Sequence, residues 1–403
     1  MSRVLVVGGS LGGLMAANLM VRAGLDVTVL EKSTLSLDGR GAGIVTHLPL
    51  LNALKLCGVD AEASLGISIE KRVVLDLQGR TIAHALMPQI LTSWSRLYSL
   101  LMAALPVERY LRGASVRNFT QNANSVKVTC EDGTSYEADV LIASDGIRSS
   151  VRAALAPEIQ AEYAGYVAWR GVCDESVLSN LTLKTLFETF GFGLPAGEQI
   201  IGYPVAGQGN SVAKGQRRYN FVWYRPAPDN GALRDLMTDA DGHHHALGLP
   251  PNKVSWRQVA AARQAARELL APQFAEILEK TPQPFLQPIF DACSTQLAFG
   301  RVALMGDAGF VARPHVGMGV TKAAEDALAL CQALVSNGTT PEALQAYESK
   351  RLGPGKSVVE RGRRLGAYMQ ATSTGQTVLR DAESMIQQTA IDLSTYASNA
   401  ASQ

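Results

Sequence analysis

Residues Arg3 to Lys32 read RVLVVGGSLGGLMAANLMVRAGLDVTVLEK, and the glycine-rich turn at the centre, Gly8 to Gly13, decides how the chain is read. Val4 to Val7 is a short apolar run suited to a strand buried on both faces. Leu14 to Gly24 reads as a helix closed by a glycine, and Val27 to Leu30 as a second strand. This strand–turn–helix–strand unit is the frame of a dinucleotide site. Gly8, Ser10, Leu11, Gly12 and Gly13 are placed to receive a pyrophosphate at the helix start, where free N–H groups and partial positive charge gather. Glu31, with Lys32 beside it, ends the second strand and can accept hydrogen bonds from ribose hydroxyls. Its charge also disfavours a 2′-phosphate, so NADP is not expected in this turn. Ser10 stands where the motif G-x-G-x-x-G has its middle glycine. The backbone N–H survives that change, and the hydroxyl can itself donate to a phosphate oxygen. A glycine-rich turn without a ligand is the competing reading, and the complete surrounding unit outweighs it. The turn alone does not separate NAD from FAD.

Composition sets the bounds. A chain of 403 residues, 47% hydrophobic and 18% charged, is globular and long enough for two or more core-forming units. A net charge of +1 with no basic run argues against nucleic acid or an anionic membrane as a partner. The five cysteines are scattered with no metal-like spacing, which points to free thiols in a reducing cytoplasm and to no metal. Paired glycines interrupt the first apolar stretch, so a folded N-terminus is expected there in place of a signal peptide or membrane span.

Two further motifs lie downstream. In ADVLIASDGIRSSVR, Ala138 to Arg152, a strand at Val140 to Ala143 runs into an Asp145-Gly146 turn. In GRVALMGDAGFVARPHVGMGVTKAAEDALAL, Gly300 to Leu330, a strand runs into Gly306-Asp307. Pro314 and Gly317-Met318-Gly319 then open an alanine-rich helix.

On these three motifs, in this order, the chain resembles the FAD-dependent aromatic hydroxylases, the single-component flavoprotein monooxygenases related to p-hydroxybenzoate hydroxylase. Softer segments bring it nearest to the 2,6-dihydroxypyridine 3-hydroxylase branch: RGAGIV from Arg40, NFVWYR from Asn220 and LAPQFAEIL from Leu270. The likeness covers about Arg3 to Leu334. It implies an α/β fold: a Rossmann-like FAD-binding domain, an antiparallel substrate domain and C-terminal helices. The expected FAD unit is discontinuous, 1–75, 92–162 and 290–335. The substrate unit is 76–91 and 163–289, and the helices are 336–403. The resemblance adds Arg40, Gly41, Ala42 and Gly43 beside the flavin ring, Arg96 as a cofactor contact and Val116 over the adenine. Asp145 serves either the cofactor or its own turn. Asp307 is placed for ribityl or ribose hydroxyls, and Gly317 to Gly319 for negative charge on the flavin pyrimidine. One departure stands out. Most relatives have G-D-A-A-H where this chain has Gly309-Phe310 after Ala308, which leaves the role of that histidine open here.

The middle of the chain changes character. Aromatic, glycine-broken segments from Tyr163 to Arg225 predict antiparallel strands, with Trp169, Trp223 and Tyr224 alternating toward a core. Residues 256–280 have helical periodicity. Lys280 to Asp291 is proline-rich and reads as a return connection, and the segment after Leu334 as surface helices. Tyr203, before Pro204, is a substrate-pocket candidate. His243 to His245 fall in a Gly/Pro-bounded loop and read as solvated. His47, after GAGIVT, and His315, after Pro314, are expected near the reactive end of the ring. Both are candidates, with Tyr203 and Pro314, for the substrate side. His315 first and His47 second are candidate bases that take a proton from a ring hydroxyl, against an equally weighted purely local role.

The implied reaction is hydroxylation of an electron-rich ring, a hydroxylated pyridine foremost. NAD(P)H is the reductant, O₂ the oxidant and a flavin C4a-hydroperoxide the oxygen donor. No second nucleotide fold is present for the nicotinamide, and relatives are often homodimers. An FAD-dependent dehydrogenase on the same fold, or a non-catalytic ligand-binding protein, are the alternatives.

Overall fold

The computed structural model describes residues 2–37, 43–59, 65–246, 248–373 and 381–391. The run Arg3–Val7 is the centre of a six-stranded sheet. Its order is Ala298–Phe299, Val302–Leu304, Val140–Ala143, Arg3–Val7, Asp26–Glu31, Tyr110–Arg112. Every pair is parallel except the short edge strand Ala298–Phe299. Neighbours on both sides and helices on the faces leave no room for polar side chains. Val4 to Val7 and Val140 to Ala143 are accordingly buried throughout. The helix Leu11–Arg22 packs between this sheet and the helices Trp94–Ala104 and Gly319–Asn337. A three-stranded meander, Val116–Gln121, Val126–Cys130 and Ser135–Ala138, leads into Val140–Ala143.

The second sheet has nine strands. Its order is Phe310–Val311, Phe285–Cys293, Glu162–Asp174, Arg218–Pro226, Gln199–Val205, Thr189–Gly193, Ile67–Leu75, Thr81–Ser93, Gly43–Val45. Three features differ from the sequence reading. The division at residue 75 cuts a hairpin, because Ile67–Leu75 pairs with Thr81–Ser93, and Gly43–Val45 extends the same ladder. The proline-rich connection includes a strand, Phe285–Cys293, hydrogen-bonded to Glu162–Asp174. Trp223 and Tyr224 are adjacent, so they face opposite sides of the sheet, yet both are fully buried. Trp223 joins a core with Trp169 and Phe274 under the helices Trp256–Leu269 and Pro272–Lys280. Tyr224 joins one with Tyr166, Met369 and Ile386 under the C-terminal segments.

Those segments are not merely superficial. Pro341–Ser373 is a single helix with Pro354 inside it, and Tyr347, Val359 and Met369 are buried. It crosses both sheets. The Tyr347 hydroxyl donates to the Leu304 carbonyl in the first (2.9 Å). Arg363 Nε donates to Asp291 Oδ1 in the second (2.8 Å). Asp291 Oδ2 accepts from Arg313 Nε as well (2.7 Å), so one buried carboxylate ties the helix to the segment before Pro314.

The same helix explains Phe310. Its ring is 1% exposed and turned into the core, where a Cβ on Gly355 would overlap it. Alanine for glycine inside a helix normally stabilises by up to about 1 kcal/mol. Here overpacking against the ring costs about 1–3 kcal/mol and reverses the sign. Gly355→Ala is expected to melt below the wild type by circular dichroism while keeping its cofactor.

Candidate active site

Three adjacent parallel strands, Arg3–Val7, Val140–Ala143 and Val302–Leu304, each end in one of the three motifs. Val7 is in register with Ala143, and Ala143 with Leu304. The exits are tied level: Ser144 N–H donates to the Val7 carbonyl (2.8 Å) and Met305 N–H to that of Ala143 (2.9 Å). Loops at the carboxyl ends of parallel strands are where such sheets bind ligands.

The first loop is shaped by what it lacks. Gly8 has φ +100°, and a Cβ there would strike the Ser144 carbonyl. A Cβ on Gly13 would strike the Gly8 carbonyl, so Gly13 lets the helix close on its own turn. Ser10 is the N-cap residue, yet its hydroxyl makes no capping bond. No acidic residue occupies the first helical turn to compete with a bound anion. Glu31 is nearly buried and accepts from Gly9 N–H and Ser33 N–H, one oxygen each (both 2.8 Å). Each oxygen keeps a lone pair for a hydroxyl.

Around these loops runs a cleft of two lobes that share Ser10, Trp94, Ser144 and Gly146. One lobe, about 430 Å³, is lined by Gly8, Glu31, Lys32, Val116 and Asp145. The other, about 340 Å³, is lined by Leu11, Gly12, Gly43, Gly306, Asp307, Pro314, Gly317, Gly319, Tyr203 and Arg170. Asp307 is open to this lobe although protein surrounds it. That burial raises its carboxyl, Lys322 and Arg152 oppose the rise, and Asp326 adds to it. Asp326 accepts from Gly306 N–H (3.0 Å) and Arg351 Nε (2.8 Å), which fixes the turn from behind. Asp145 accepts from Ser150 N–H (2.9 Å) through one oxygen; the other is buried without a hydrogen bond among the described residues.

The remaining sequence candidates lie elsewhere. Met318 is buried beneath the loop. Arg96 lines an adjoining cleft with Gly43, Trp94 and Arg218. Arg40, Gly41 and Ala42 lie outside the described residues. His47 lines a separate cavity of about 670 Å³. Its Nδ1 meets Thr321 Oγ1 (2.9 Å), and its Nε2 meets the Ala390 carbonyl (3.3 Å). A carbonyl only accepts, so Nε2 carries the proton. His315 is 1% exposed and stands behind the wall of the second lobe, with Nε2 at 2.6 Å from the Tyr166 hydroxyl and its ring against Tyr224. Among His243 to His245, His245 Nε2 bonds Asp239 Oδ2 (2.8 Å). Asp239, Asp241 and His243 are close enough to share an ion, but Lys253 already lies 3.0 Å from Asp241 and 3.8 Å from Asp239.

Sequence reasoning missed three residues. Trp94 follows the N-cap Ser93 of its helix and borders both lobes. Arg152 donates to the Asp307 and Ala308 carbonyls (3.2 and 2.9 Å) and joins the second motif to the third. Arg170 stands in the strand AWRGV, and a charge in so apolar a strand was the available signal.

The two-lobed cleft has a helix start free of acidic side chains, the carboxylates Glu31 and Asp307 in separate lobes and a second sheet over one lobe, a shape that suits an extended dinucleotide. A family model described as an FAD binding domain matches residues 1–181 and 251–362, and one described as FAD binding domain-like matches 163–291. The 2,6-dihydroxypyridine 3-monooxygenase of Paenarthrobacter nicotinovorans is 30% identical over 91% of each chain. The solved 2,6-dihydroxypyridine-3-hydroxylase of Arthrobacter nicotinovorans superposes with a TM-score of 0.88, at 29% identity over 96% of each chain. Klebsiella pneumoniae HpxO, solved with FAD and uric acid, shares the fold at a TM-score of 0.75 and 22% identity, over 93% of this chain and 91% of its own. The chain belongs to the FAD-binding domain family. It is an FAD-dependent aromatic-ring monooxygenase with NAD(P)H as co-substrate. Among the described residues, no helix is long and apolar enough to cross a membrane.

Ser10 offers a direct test of the turn. Ser10→Ala removes a donor worth about 0.5–1.5 kcal/mol if it meets a phosphate oxygen, so FAD binding should weaken by up to about tenfold. Fluorescence titration of the apoprotein measures this, and unchanged affinity would show the serine to be merely accommodated.

Proposed function

We propose that this monooxygenase hydroxylates a hydroxylated pyridine held in the second lobe between Tyr203, Arg170 and Pro314. The observation that carries the reading is Arg170. Its Nη1 donates to Gln287 Oε1 (2.7 Å), while its Nε–H is buried and meets no acceptor among the described residues. It lines the lobe beside Tyr203. A fixed cation favours the ionised form of a ring hydroxyl, and that anion raises electron density at the ring carbons ortho and para to it. Burial pushes the Tyr203 hydroxyl up to about 12 against the pull of Arg170, so at neutral pH it stays protonated and can donate to the same oxygen. The similarity to pyridine hydroxylases over nine-tenths of the chain supports an N-heteroaromatic substrate.

Bound FAD supplies reduction by NAD(P)H and activation of O₂. Glu31, Ser10 and Asp307 are the residues that would hold it. The chain's own task is to orient the ring, keep its oxygen anionic and exclude water. In this reading neither histidine abstracts the proton directly. His315 is buried against Tyr166 and Tyr224 and does not line the lobe, and both nitrogens of His47 are engaged. They position the wall. We further propose a homodimer, on the family resemblance, in a reducing cytoplasm, since Cys57, Cys130 and Cys173 are free and buried.

A panel of hydroxypyridines should stimulate NAD(P)H oxidation, with ¹⁸O from ¹⁸O₂ in the product. Oxidation of a substrate without label would identify a dehydrogenase. In Arg170→Met the acidic limb of the kcat/KM profile should move up by about 1–3 pH units, because the hydroxyl then ionises without its cation. Arg170→Lys should retain most of the wild-type profile. An unmoved limb in Arg170→Met would remove the assigned role.

A further inference from the structure

The segment 381–391 forms a strap whose end is gripped from several directions. Its helix, Ala382–Gln388, starts on Asp381, which accepts from Ser384 N–H (2.7 Å). Carbonyls at a helix end lack intrahelical partners. Here cationic and amide side chains supply them. Arg72 Nη1 donates to the carbonyls of Ile386 (2.7 Å) and Thr389, and its Nη2 to that of Ala390 (2.9 Å). Arg361 Nη2 donates to Gln388 (2.7 Å), and Gln89 Nε2 to Ala390 (3.2 Å). Arg72 projects from the strand Ile67–Leu75, is fully buried and lies 5.0 Å from the centre of the Phe190 ring. No carboxylate pairs with it among the described residues. The energy of burying this cation is offset by carbonyl dipoles that belong mainly to the strap.

What the strap end touches gives this arrangement its meaning. Ala390 has φ +50°, a strained value for a residue with a side chain. In that conformation its N–H donates to the His315 carbonyl (3.2 Å). Its methyl covers Gly317, where a Cβ would overlap it. Its carbonyl receives His47 Nε2, whose Nδ1 holds Thr321. One strap residue therefore bears on His315, Gly317 and, through His47, Thr321, along the loop that lines the second lobe.

We propose that Arg72 is a positioning residue: by anchoring Ala390 it holds the loop from His315 to Thr321 in the shape that the flavin ring and substrate require. The inference rests on the assignment of that lobe to the ring. Arg72 itself lines neither lobe. Without the anchor the loop is free to move and water gains entry. Reducing equivalents then leave as NAD(P)H + H⁺ + O₂ → NAD(P)⁺ + H₂O₂, with no oxygen reaching the ring.

The test uses full-length holoprotein with four substitutions. Arg72→Met removes the anchor. Arg72→Lys keeps a cation that reaches fewer carbonyls. Ala390→Pro deletes the N–H to His315 and cannot adopt a positive φ. Ala390→Gly keeps the N–H and relieves the strain. Product formed per NAD(P)H is expected to fall about tenfold in Arg72→Met and Ala390→Pro, within the range that misplacement remote from the chemistry produces. Peroxide should rise to match, and the bound flavin's fluorescence and acrylamide quenching should increase. Arg72→Lys should fall between, and Ala390→Gly, which keeps the N–H to His315 but loses the methyl over Gly317, should stay closer to the wild type than Ala390→Pro. Should Arg72→Met fail to fold, Ala390→Pro carries the test, because it leaves the sheet untouched. Wild-type coupling and flavin fluorescence in folded Ala390→Pro would overturn the proposal. If no hydroxypyridine is turned over by the wild type, the substrate reading fails separately, while flavin fluorescence and quenching still decide whether the strap holds the loop.

Discussion

The site depends on a matter of register. Three parallel strands, drawn from residues 3–7, 140–143 and 302–304, end at one level because Val7, Ala143 and Leu304 share a row of the ladder. A shift of one residue in any of them would turn its side chains to the opposite face and carry its loop away from the others. The glycines follow from this constraint. Gly8 lies so close to the neighbouring loop that the backbone of Ser144 occupies the space of a side chain. Arg152 and Asp326 then lock the loops from the outside, one by bonding the carbonyls of the third loop and the other by receiving its Gly306 amide.

The second sheet adds a roof, and the long helix Pro341–Ser373 fixes its attitude. Gly355, Gly362 and Gly366 lie where that helix meets Phe310, Arg313 and Tyr166. Glycines are poor helix formers, so their place here reflects closeness of approach over propensity. Asp291 completes the joint by bonding Arg313 and Arg363 together. Breaking one partner of such a buried pair leaves an uncompensated charge, which makes the joint rigid.

Much of the fold was legible in local patterns. The βαβ unit, the two downstream turns and the helices of residues 256–280 each announce themselves through periodicity or glycine placement within a short window. What was not legible depends on contacts distant in sequence. Lys280 to Asp291 looked like a linker because its prolines mask a strand, and Pro288 pairs in register with Val167 all the same. His315 was read beside the ring from its neighbours in sequence, but Tyr166 and Tyr224, 149 and about ninety residues earlier, enclose it. Trp223 and Tyr224 were both read toward a core, yet as neighbours in one strand they face opposite sides of the sheet. Only the C-terminal layer, unseen in that window, makes both interior. Arg72 left no trace as an anchor, since the backbone carbonyls that receive it lie more than three hundred residues away.

The position of Val302–Leu304 in the first sheet also bears on how the protein is made. This strand covers one side of Val140–Ala143, and the strand after the first dinucleotide turn covers the far side of Arg3–Val7. On the ribosome the glycine-rich turn emerges nearly three hundred residues before the loop that follows Val302–Leu304. Pairing across so long a separation is slow. The nascent chain therefore carries a half-built nucleotide cleft through that interval, and cofactor capture is a late event in its biogenesis.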